Sequence, residues 1–154
     1  MSKAGQVAAA AGLGLAAGAA GTVAMTISSA AESRLRNRPA STAPARAASK
    51  VLGVKPVDEQ AEKRFAAVVH WVYGTGWGAV RGLLAAAGLP PAAATAAHLA
   101  VLWGSEQIML PALDVTPPVT QWGLREAAID SIHQVVYVSA TGAAFQLLSR
   151  PGPG

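Results

Sequence analysis

From residue 4 to residue 31 the chain carries no charged side chain. An α-helix needs only ~20 apolar residues to cross the hydrocarbon core of a bilayer, so this run is long enough to span one. Reading 6–29 as the first span, three further apolar segments follow at about 65–88, 91–113 and 126–148. The pattern predicts an all-α protein, an integral membrane four-helix bundle forming a single transmembrane domain over residues 1–154. Composition agrees, being 52% hydrophobic and 13% charged, with Ala and Gly supplying much of the apolar share. A cleaved signal peptide is the rival for the first segment, with Lys3 as its basic start and Ser28-Ser29-Ala30 as its small-residue site. The apolar run is about twice the ~7–15 residues of a signal core, so a retained anchor is expected. A soluble bundle with Ala-rich buried helices is the rival for the membrane assignment as a whole.

Eight of the 12 Lys and Arg residues lie between Arg34 and Arg64, which concentrates the net charge of +4 in the loop 32–64. Short loops rich in Lys and Arg stay on the cytoplasmic side, so this one is expected in the cytoplasm with both termini outside. The basic block lacks the interleaved aromatic residues that would stack bases, and nucleic acid is not an expected partner. Pro39, Pro44 and Pro56 interrupt it, while 46–52 reads either as a short interfacial helix stopped by Gly53 or as linker. Asp58 is a good N-cap, so the second long helix is expected to start in water before entering the apolar segment. With no cysteine there is neither a disulfide framework nor a thiol nucleophile.

Gly14 and Gly18 form a G-x-x-x-G step, and Gly74, Gly78 and Gly82 repeat at every fourth residue. Such lines let two helix backbones approach closely, which is how helices associate where lipid removes the hydrophobic drive. They are not phosphate loops, because no Lys-Ser/Thr pair closes them.

Polar residues thread the apolar segments at helical spacing. Glu126, Asp130, His133, Tyr137 and Thr141 draw one stripe along the last segment. Counting ~1.5 Å per residue from the cytoplasmic ends puts His70, Glu106, Asp130 and His133 roughly 6–11 Å deep in one leaflet. Glu32 would cap this group from below. The same count places Arg81 and His98 together near the outer end. A charge at the bilayer centre costs ~2.5–3.5 kcal/mol or more, so these side chains are expected to turn inward and find partners.

Three readings stay open for the polar cluster: a structural network, a proton- or cation-handling site, and a metal or haem centre using His70 and His133 with Glu106 or Asp130. Asp130-x-x-His133 alone is a weak metal signal, and no cofactor is assigned. No catalytic residue emerges either, since Ser105 and Ser131 lie in mid-helix without a nucleophile elbow. The expected partners are membrane lipid, together with a second copy or another membrane protein.

The succession of Glu32, Arg36-Asn37-Arg38-Pro39, His70-Trp-x-Tyr-Gly74, Trp103-Gly-x-Glu-x-x-x-x-Pro111 and Asp130-x-x-His133 with Tyr137 resembles a family of uncharacterised bacterial inner-membrane proteins, distantly of the YagU acid-resistance type. The resemblance covers about 14–148. It implies a small multi-span protein with an acid-stress role, no established enzymology, and characteristic polar positions at Glu32, His70, Glu106 and His133. The chain departs from the commoner pattern in having Arg36-Asn37-Arg38-Pro39 where Pro-Pro-Arg is usual. It also has Glu106 in a third span that is usually His-rich.

Overall fold

The computed structural model describes residues 2–37, 39 and 41–150; Arg38 of the loop motif lies outside them. The protein is all-helical among the described residues. Its helices are α1 (Lys3–Arg36), α2 (Ala43–Leu52), α3 (Glu59–Ala86), α4 (Pro91–Ala112) and α5 (Leu124–Leu148). A single 3-10 turn, Val119–Gln121, interrupts the loop before α5.

The helix ends follow local chemistry. Asp58 accepts the Ala61 N–H at 2.7 Å and opens α3 several residues before the apolar segment begins. Gly53, in the left-handed region at φ 66°, closes α2 by donating to the Ser49 carbonyl, so 43–52 is a helix and not linker. Gly88, at φ 88°, reverses the chain after α3, and Pro91 starts α4 at the position where a missing N–H costs nothing. Helix α1 runs past the expected end of the first span. There Glu32 and Arg36 form an i,i+4 ion pair and Asn37 makes a left-handed cap.

The four long helices pack in the circular order α1, α3, α4, α5, and α3 also touches α5 across the middle. All four contacts around the circle are antiparallel, because Thr22 of α1 meets Gly74 of α3, Tyr73 meets Glu106, Trp103 meets Asp130, and Ser28 meets His133. One end of the assembly therefore holds the C-termini of α1 and α4, the N-termini of α3 and α5, and α2, which packs on α3. The opposite end holds the start of α1, the α3–α4 turn and the close of α5.

The α1–α3 seam is made of glycine. A Cβ on Gly78 would lie 2.2 Å from the Gly14 carbonyl oxygen, and one on Gly82 would lie 2.0 Å from that of Ala10. Gly18 abuts the Gly78 Cα, and Gly74 holds the Thr22 side chain, so all five glycines of the sequence pattern face a neighbouring helix. Gly21 does the same toward Tyr137 and Thr141 of α5. Among the described residues one helix, α1, is long and apolar enough to cross a membrane, and its most apolar stretch is mostly outward-facing. Polar side chains such as His70, Arg81, His98, Glu106, Asp130 and His133 lower the hydropathy of α3, α4 and α5.

Candidate functional site

The polar residues that depth counting brings together do lie at one end, but they divide into separate interhelical ties. His70 turns to α1, where its Nε2 lies 2.8 Å from Thr26 Oγ1. Thr26 Oγ1 also lies 2.7 Å from the Thr22 carbonyl of its own helix. Which of the two side chains donates in the His70–Thr26 pair follows the His70 tautomer. His133 also turns to α1, with Nδ1 2.8 Å from Ser28 Oγ. Neither histidine hydrogen-bonds to Glu106 or Asp130.

The two carboxyl groups instead join α3, α4 and α5. Glu106 accepts from Tyr73 Oη at 3.1 Å on one oxygen and from Gln134 Nε2 at 2.6 Å on the other. Asp130 accepts from Trp103 Nε1 at 2.9 Å. Every one of these donors is neutral. Glu106 and Asp130 stand within electrostatic reach of each other, and Asp130 within that of His133. Tyr137, on the same stripe as Asp130 and His133, donates to the Gly74 carbonyl at 2.5 Å and pins α5 across the middle to α3.

Glu32 belongs to a different group. Arg36 donates to Glu32 at 2.9 Å and to both oxygens of Glu126, at 3.2 and 2.5 Å. This fork locks the last turn of α1 to the first turn of α5. A cation at a helix C-terminus and a carboxylate at an N-terminus also suit both helix dipoles. The hydrogen bonds to Glu126 raise the Arg36 pKa further above its ordinary value, so the guanidinium stays charged.

A half-open cavity of about 270 Å³ lies beside Glu106. Apolar residues of α2, including Ala47, Val51 and Leu52, face Val69 and Tyr73 of α3 and Glu106 and Met109 of α4 across it. The Lys50 ammonium donates to the carbonyls of Leu113 and Asp114, so α2 is fastened to the end of α4. Among the described residues no three His, Asp or Glu side chains come together in a way that would hold a metal ion.

At the opposite end Arg81 and His98 are both buried, yet they do not hydrogen-bond to one another. The Arg81 guanidinium lies 4.6 Å from the centre of the Phe145 ring. His98 sits between Trp77 and Tyr137, with ring centres 6.4 and 5.7 Å away.

Sequence reasoning passed over Gln134, Trp103, Thr26 and Ser28 as partners. Gln134 carried a usable signal, being a buried amide in an apolar helix, which must find a hydrogen bond. Thr26 and Ser28 carried none, since small hydroxyls in such helices commonly bond to their own backbone. Comparison with protein-family models, with curated proteins and with solved structures finds no match to this chain.

Proposed function

We propose that this chain is a small four-span integral protein of the bacterial inner membrane, with its basic loop in the cytoplasm and its termini outside. In this reading its intramembrane polar residues tie the helices together. The distribution of side chains supports it. The largest fully buried side chains include Arg81, Tyr137, His98, Thr22 and Thr141. Meanwhile every long helix turns aliphatic residues outward, such as Ile27, Val72, Ile108 and Ile132. A soluble monomer avoids so extensive an apolar exterior, whereas lipid-embedded helices carry one and keep polar groups inside. The family resemblance adds an acid-stress setting to this structural role.

Because the chain has no cysteine, single cysteines report topology cleanly. Lys55→Cys is expected to react with an impermeant maleimide only after the cells are opened, and Leu89→Cys in intact cells. Alkaline carbonate should leave the protein in the pellet. Release into the supernatant would sink the membrane reading, and the reverse labelling pattern would invert the topology.

One observation favours a second reading, in which Glu106 handles protons or cations. It lines the cavity under α2 and is held only by neutral donors, so its charge is not spent on a salt bridge. Glu106→Gln keeps the shape and removes the titration. Under this reading, proton or cation flux into liposomes should fall to the protein-free background in that variant. Equal flux in the wild type and the variant would leave the structural role alone.

A further inference from the structure

Among the described residues no acid side chain answers the charge of Arg81. Its side chain is 1% exposed, and both Nε and Nη1 are buried without a hydrogen-bond partner. His98, 0% exposed, lies within electrostatic reach of Arg81 and turns to the Trp77 backbone on α3. Contact with the Phe145 face offsets part of the desolvation of the cation. Removing an ion from water costs more than such a ring contact returns.

No carboxylate side chain reaches this end. All eight Asp and Glu residues lie toward the other end of the helices or in the loops there. On α4 the nearest is Glu106, eight residues from His98, which is ~12 Å along the axis. On α5 it is Asp130, fifteen residues before Phe145, ~22 Å away. On α3 it is Glu62, farther still.

We propose that Arg81 and His98 form a binding site for a small inorganic anion, with chloride the expected occupant. Arg81 supplies the charge and the N–H donors of two nitrogens, with His98 as the neighbouring polar wall. Burial of both side chains excludes a lipid headgroup or a peptide carboxylate. The Phe145 ring lies against Arg81, and the Trp77 and Tyr137 rings flank His98, so the site is walled largely by aromatic rings. The inference goes beyond the structural role above and uses none of the residues near Glu106. Its failure and a failure of the membrane reading are read by different measurements.

The test uses the full chain purified in detergent. Radiolabelled chloride should bind with a stoichiometry of one per chain. At constant ionic strength the midpoint of thermal unfolding should be several degrees higher in chloride than in gluconate, and should climb with the logarithm of chloride concentration, as for any ligand that binds only the folded state. Arg81→Met, which puts an apolar chain of similar length among apolar neighbours, should stay folded and lose both signals. If that variant does not fold, the wild-type chloride binding and titration decide alone. Absence of bound chloride, identical midpoints in the two salts, or a folded Arg81→Met that keeps the dependence would each overturn the proposal.

Discussion

Gly78→Val is expected to abolish or nearly abolish the folded state. The new Cβ would sit 2.2 Å from the Gly14 carbonyl oxygen and 2.5 Å from the Gly18 Cα, and both are backbone atoms of a neighbouring helix. Backbone cannot rotate aside as a side chain can, so α1 and α3 must separate. Overpacking costs ~1–3 kcal/mol in ordinary cores and occasionally more; here the seam is unyielding on both sides, so about 3 kcal/mol or more is expected. Gly76→Ala supplies the control, because nothing lies within 4 Å of a Cβ two residues away on the same helix. There the exchange should stabilise, by up to ~1 kcal/mol from helix propensity. Opposite signs in thermal or denaturant unfolding of the two variants in detergent are the expected result. Equal effects would mean that the glycine line is not a packing face.

The same glycines show how much of the fold is legible in the chain. Four-residue spacing selects one face of a helix, and close approach has no alternative use for three glycines in line, so the α1–α3 seam is readable without coordinates. Asp58, Gly53 and Pro91 are equally local: each marks a helix end through its own backbone chemistry. The pairing of polar side chains is another matter. Counting residues from a helix end gives depth along the axis but not direction around it. His70 and His133 therefore share a level with Glu106 and Asp130 while facing α1, where Thr26 and Ser28 receive them. Gln134 follows His133 in sequence, yet lies ~100° around the helix and so meets Glu106 on α4. Glu32 looks like a cap to the cluster when only depth is known. Its true partner, Arg36, is one turn away on its own helix and is shared with Glu126.

Glu106→Ala should be the most damaging change in the polar layer, and it separates the two functional readings. It removes the acceptor of both Tyr73 Oη and Gln134 Nε2, and Gln134 is buried where water cannot replace the bond. Unpaired buried donors cost ~1–3 kcal/mol each in water-soluble cores. In lipid the unfolded helices also find partners, and measured couplings average ~0.6 kcal/mol with a maximum near 1.7. Adding the packing lost with the side chain, a total of about 2–4 kcal/mol is expected. Glu106→Gln behaves differently, because the Gln134 amide can turn over and present its oxygen to the new amide while Tyr73 keeps its acceptor. That variant should lie within about 1 kcal/mol of the wild type. A double-mutant cycle between Glu106→Ala and Gln134→Ala, read by unfolding in micelles, gives the bond itself. A coupling near zero would detach Gln134 from the tie between α4 and α5. With the scaffold intact in Glu106→Gln, any flux that disappears is charge chemistry at this carboxyl, and any that persists never passed through it.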